Sequence, residues 1–75
     1  MVQISEDRLA MAEHHMRESE RHIARQAALV ERLENDGHAV PAIQARKLLA
    51  TFQRMHAVAR DHLRLEREKR GLPPF

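Results

Sequence analysis

Histidine is the residue type in this chain that could do chemistry most readily. The six histidines are His14, His15, His22, His38, His56 and His62. Imidazole nitrogens bind zinc, copper and haem iron, and imidazole is the side chain that ordinarily changes charge near neutral pH. A cluster of histidines inside a helical bundle could therefore hold a metal, or could loosen the bundle in mild acid.

The spacing of these histidines gives only weak support for a metal site. His15 and His22 are seven residues apart, about two helical turns, and so cannot share one ion. The chain contains neither the Glu-x-x-His pairs of di-iron bundles nor a His-Glu-x-x-His motif. We expect no native metal and no cofactor. Metal or haem binding is the weakest alternative, and its candidates are His15, His22, His56 and His62.

Catalysis has little support in the composition. Cysteine is absent, and the only hydroxyl side chains are Ser5, Ser19 and Thr51. No glycine-rich loop or nucleophile motif is present, and the carboxylates are spread along the chain as surface charges. We therefore predict a non-enzymatic protein without catalytic residues.

Two long helices must position these side chains. The first carries a stripe in which apolar residues recur at alternating steps of three and four, the spacing of one helix face. The stripe consists of Leu9, Ala12, Met16, Ser19, Ile23, Gln26, Val30 and Leu33. Its two polar members, Ser19 and Gln26, either set the register of a helix pair or are merely tolerated near an incompletely buried layer.

Helix-capping residues predict the boundaries. Ser5 suits an N-cap, Gly37 suits the position after a helix, Pro41 suits a first helical turn, and Gly71 ends a helix. The predicted segments of this single domain, residues 1–75, are helix one at 6–36, a connector at 37–40, helix two at 41–70 and a tail at 71–75.

Helix two has an apolar stripe broader than one neighbouring helix can cover. Two hairpins packed together could cover it, so we predict an all-α fold, an antiparallel two-helix hairpin that dimerises into a four-helix bundle. The predicted core residues are Leu9, Met16, Ile23, Val30, Leu33, Leu48, Leu49, Phe52, Met55 and Leu63. A connector centred near His38 and Ala39 sets the pairing of the two helices. The predicted pairs are Gln26 with Phe52, Ser19 with Ala59, His15 with His62, and His22 with His56.

The net charge of +2 is unevenly distributed. Residues 1–36 carry five arginines against eight acidic residues, whereas residues 37–75 carry eight basic against three acidic residues. This pattern predicts either attraction between the helices or two separately solvated faces.

A basic face on helix two offers an alternative function. Its residues are Arg46, Lys47, Arg54, Arg60, Arg64 and Arg67. Such a face could contact phosphates, as in a Rop-like dimer that binds RNA or DNA. Nucleic acid is the less favoured partner, because acidic residues interrupt the face and no aromatic side chain is placed to stack on bases.

No targeting or membrane segment is expected. The N-terminus lacks a basic segment followed by an apolar run, and apolar runs do not exceed four residues. About 20 apolar residues are needed to cross a bilayer. We therefore expect a cytoplasmic protein without a membrane partner.

Three segments carry a resemblance to known sequences. They are Glu-Arg-His-Ile-Ala-Arg-Gln at 20–26, Val-Glu-Arg-Leu-Glu-Asn-Asp-Gly-His at 30–38, and Leu-Leu-Ala-Thr-Phe at 48–52. Together they resemble a group of short uncharacterised helical-hairpin proteins of alphaproteobacteria. The resemblance implies a stand-alone bacterial hairpin and no particular activity. The leading hypothesis is a small interaction or regulatory protein that binds itself, as a homodimer, or an unknown protein partner through a helix.

Overall fold

The computed structural model describes the backbone of residues 4–73 and the side chains of residues 8–73. Two α-helices make up this part of the chain, α1 at Ile4–Asn35 and α2 at Ala39–Lys69. They pack against each other as an antiparallel hairpin, and no strand occurs within residues 4–73. The predicted all-α hairpin is therefore confirmed.

The hairpin is one helix layer thick, with principal extents of 53 × 24 × 14 Å. A helix with its side chains is about 10 Å across, so both broad faces of the hairpin are open to solvent. Neither of the two described helices combines enough length and apolar character to cross a membrane.

The connector is shorter than predicted and comprises residues 36–38. The Gly37 N–H donates to the Glu34 carbonyl at 3.2 Å, and the His38 N–H donates to the Leu33 carbonyl at 2.9 Å. These two bonds form a Schellman motif, which satisfies carbonyls at the end of α1. Gly37 has φ 77°, a left-handed conformation that glycine adopts without steric cost.

The start of α2 differs from the predicted start at Pro41. The helix begins at Ala39, and the Ala42 N–H donates to the His38 carbonyl at 3.0 Å. Pro41 is therefore the third helical residue, where a missing N–H leaves no intrahelical bond unmade. A helix tolerates proline at any position of its first turn, so Pro41 did not identify the first residue of α2.

The outer ends also differ slightly from the prediction. Helix α1 begins at Ile4, so Ser5 lies inside the first turn and is not its N-cap. The preference of serine for an N-cap is worth about 1 kcal/mol, too little to determine a terminal turn alone. Helix α2 ends at Lys69, one residue early, and Gly71 with φ 70° follows it.

The contact between the helices buries few large side chains. The buried apolar residues among those described are Ala12, Val30, Ala42, Ala45 and Leu63. Six other predicted core residues are half-buried: Leu9, Met16, Ile23, Leu33, Leu49 and Phe52. Leu48 and Met55 are exposed, because two helices touch along a line and those positions of α2 point past α1. Their place in a dimer core stays a prediction.

Two of the predicted residue pairs lie together at the end of the hairpin away from the connector. His15 and His62 line the same two grooves between the helices. Ser19 and Ala59 line one of these grooves. Lining a shared groove does not establish which residues lie opposite each other, so the predicted pairing in this half stays a prediction.

The register differs nearer the connector. Gln26 does not pair with Phe52, because the Gln26 amide binds the Ala45 carbonyl and Phe52 stacks on His22. His22 therefore meets the residue one helical turn before His56. The position of the connector explains the difference. It is centred on Gly37 and not near His38 and Ala39, so each α1 residue lies opposite an α2 residue about one turn earlier in the chain.

We expect Gly37→Ala to lower the free energy of unfolding by about 1 kcal/mol, because alanine is strained at positive φ. A Cβ at Gly37 would meet nothing within 4 Å, so the cost is one of backbone conformation alone. The matched control is Gly37→Asn, since asparagine visits this conformation more readily. Urea unfolding at fixed protein concentration measures both variants. Equal stability of the alanine and asparagine variants would contradict the explanation.

Candidate interaction surface

One edge of the hairpin presents large apolar side chains that the contact between α1 and α2 leaves exposed. We call it the apolar edge, and it consists of Met11, Leu29, Leu48, Met55, Val58 and Leu65. The α2 members are spaced by seven, three and seven residues, which places them on one face of that helix. The two α1 members are five full turns apart and therefore also share a face.

Two adjoining grooves run along the apolar edge between the helices. Met11, His15, His62 and Leu65 are among the residues that line the groove at the far end. The groove nearer the middle is lined in part by His15, His22, Met55, Val58 and His62. His15 and His62 belong to both grooves, so they lie where the two grooves adjoin.

Three of the four candidate metal-binding histidines lie on this edge. His15, His22 and His62 line the middle groove, and the His22 ring is stacked on Phe52 at 5.3 Å between centroids. His56 is half-buried and lines neither groove. Within the described residues of one chain, no group of three or more histidine, aspartate or glutamate side chains is placed to hold a metal ion.

Charged side chains of both signs surround the histidines. Glu18 lines the middle groove with them, and Arg8, Glu66 and Lys69 line the far groove. The Lys69 ammonium lies 3.4 Å from a Glu66 carboxylate oxygen. The histidines therefore sit in surroundings without a strong excess of either charge.

The basic face of α2 is largely engaged within the hairpin. Arg46 pairs with Glu34 across the helices, and Arg64 lies 3.7 Å from Asp61. Arg54 donates to the Thr51 hydroxyl at 3.0 Å, and Arg67 donates to the Pro73 carbonyl at 2.7 Å. Four of the six predicted phosphate-binding residues therefore already have a partner within the chain.

The pair of Arg46 and Glu34 is the described ion pair that joins the two helices. The Arg46 side chain is 62% exposed and the Glu34 side chain 37% exposed. Exposed pairs contribute about 0–1 kcal/mol to stability. The pair supports attraction between an acidic α1 and a basic α2, but it does not hold the hairpin together.

The two polar members of the α1 stripe behave differently. Gln26 is only 9% exposed, and its side-chain amide donates to the Ala45 carbonyl of α2 at 2.9 Å. The Ser19 hydroxyl instead donates to the Met16 carbonyl of its own helix at 2.9 Å. A register-setting role therefore fits Gln26, and Ser19 is the tolerated small residue.

Four residues of the apolar edge were not among the predicted core residues: Met11, Leu29, Val58 and Leu65. The signal for the two α2 residues was present in the sequence as a second apolar row beside the first. Val58 lies three residues after Met55, and Leu65 lies seven after Val58. Met11 had no comparable signal, because its neighbours in the row are His15, Glu18 and His22.

We expect Gln26→Ala to lower the free energy of unfolding by about 1–2 kcal/mol, since it removes a buried hydrogen bond and its packing. Ser19→Ala is the control, and it should change stability by less than about 0.5 kcal/mol because alanine is the better helix former. Denaturant unfolding followed by circular dichroism measures both. An equal loss in the two variants would contradict the distinction.

Comparison with known proteins gave no relative of this chain. No family model matches it, and no match was found among the curated proteins or the solved structures.

Proposed function

We propose that this chain is a non-enzymatic interaction protein that self-associates through the apolar edge into a four-helix bundle. The observation that carries the proposal is the row of large apolar side chains beside a hairpin contact built mainly from small ones. Three of the five buried apolar residues are alanines, whereas Met11, Met55 and Val58 are each more than half exposed.

The exposed area supports a second copy as the occupant of this edge. The chain exposes 5742 Å² of surface. A compact monomer of 8.7 kDa exposes about 4,700 Å² by the usual scaling of area with mass. The excess is about 1,000 Å², which is close to the roughly 800 Å² that each partner buries in a stable protein interface.

The size of the core supports the same conclusion. Small domains without disulfides or metals usually need oligomerisation or dense helix packing to become stable. This chain has no cysteine, and no large side chain among those described is fully buried. Two apolar edges packed together would supply the layer that the single hairpin lacks.

A helix of another protein would use the same edge and is the alternative occupant. The second copy is favoured because the two halves of the chain carry opposite net charge, so that α1 of one copy complements α2 of another. The nucleic-acid alternative would use the basic face of α2, whose arginines are mostly engaged within the hairpin. It predicts an affinity that falls steeply with salt.

We expect the wild-type chain to sediment as a dimer at micromolar concentration. Met55→Glu should raise the dissociation constant of the dimer by at least about a hundredfold, because the interface would bury two unpaired carboxylates, one from each copy. Circular dichroism should show that both helices remain, since Met55 is 55% exposed in the hairpin.

The matched control is Ile43→Glu. Ile43 is 51% exposed and lines a groove beside the connector with Glu34 and Arg46, away from the apolar edge. This variant should dimerise like the wild type. A wild-type monomer at these concentrations, or equal loss of dimer in both variants, would overturn the proposal.

A further inference from the structure

We propose that a second copy of the chain docks with its connector at the same end of the bundle, and that four histidines then form a site for a divalent transition metal. The four are His15 and His62 from each copy. The proposal rests on the self-association proposed above, and it adds the orientation of the two hairpins and a ligand for their interface.

Two symmetric arrangements could bring the apolar edges together. With the two-fold axis along the bundle, the connectors lie at the same end and α1 of each copy packs against α2 of the other. With the axis across the bundle, the connectors lie at opposite ends and each helix packs against its own copy.

Charge favours the arrangement with connectors at the same end. Residues 1–36 have three more acidic than basic residues, and residues 37–75 have five more basic than acidic residues. Packing α1 against α2 of the second copy joins opposite net charges, whereas self-pairing joins like charges. Neighbouring helices are antiparallel in both arrangements, so the helix dipoles do not distinguish them and the choice depends on side-chain charge.

This arrangement brings the histidines together. When the axis runs along the bundle, each level of one hairpin meets the same level of the other. His15 and His62, one from each helix, line the same two grooves of the apolar edge. His15 of each copy would therefore lie within about one helical turn of His62 of the other, with one imidazole from each of the four helices along the same short stretch of the bundle.

Four imidazoles along one short stretch of a helical bundle are a suitable ligand set. Metal sites in such bundles are built from side chains on facing helices, and imidazole nitrogens suit zinc, copper, nickel and cobalt. One chain supplies only two of these ligands, in agreement with the absence of a three-ligand group in its described residues. The site is therefore incomplete without the second copy.

The surroundings of the histidines are compatible with a bound cation. Glu18 lines the same groove; one of its carboxylate oxygens pairs with Arg21, and the other could accept an imidazole N–H, the usual outer partner of a metal-bound histidine. The neighbouring cations Arg8 and Lys69 are offset by Glu66. His22 is stacked on Phe52 and is not needed for the ligand set.

Cobalt and zinc salts are the probes for this site, used at about pH 7.5 where imidazole is mostly neutral. Co²⁺ should bind with a stoichiometry of one ion per two chains and show the visible absorption of a four-coordinate complex. Zn²⁺ should displace it. Free Zn²⁺ at about ten times its own dissociation constant should lower the dissociation constant of the dimer by about tenfold.

Single substitutions identify the ligands. His15→Ala and His62→Ala should each abolish the Co²⁺ absorption and the effect of Zn²⁺, while both should still dimerise without metal. His14→Ala is the control, because His14 is exposed, lies 6.0 Å from His15 between ring centroids, and lines neither groove. Loss of the signal in His14→Ala with retention in His62→Ala would overturn the proposal in favour of a surface histidine pair.

The orientation is tested separately with the single-cysteine variant His38→Cys, since the natural chain has no cysteine. A short bis-maleimide should link two connectors that lie at the same end, and it should not span hairpins whose connectors lie at opposite ends. A dimer that does not cross-link, or a dimer that gives no four-coordinate Co²⁺ spectrum, overturns this proposal and leaves the proposed self-association standing. A chain that is monomeric with and without metal overturns both.

Discussion

Two packed helices can bury only the narrow arcs along which they touch, and the other features of this hairpin follow from that constraint. The contact line is occupied mainly by Ala12, Ala42 and Ala45, which let the two backbones approach closely. Larger apolar residues that lie beside this contact line on the helix surface stay exposed. The hairpin is thus a folded unit whose apolar surface exceeds what its own two helices can cover.

The close approach of the helices gives one polar residue a specific task. Gln26 is buried in the contact and reaches the Ala45 carbonyl, a bond that forms in only one register. A buried amide without a partner would cost free energy, so slipping the helices past each other is disfavoured. The apolar residues alone would allow such slippage, because neighbouring layers of the stripe are chemically similar.

The apolar edge connects this packing to function. The same geometry that leaves Met55 and Val58 exposed also places His15, His22 and His62 beside them in the grooves. The proposed self-association and the proposed metal site would both use this surface. The opposite charges of the two halves of the chain add a preference for orientation.

Much of the fold was determined by the sequence itself. The period of the apolar residues, the absence of helix breakers between Ile4 and Asn35, and Gly37 at positive φ together specify two helices joined by a tight connector. These are local properties, because helical period and backbone conformation depend on residues a few positions apart. The tertiary structure alone decided which apolar residues the hairpin buries and which it presents. It also decided that His22 meets Phe52, because that pairing depends on the length of the connector and the close approach of two distant segments.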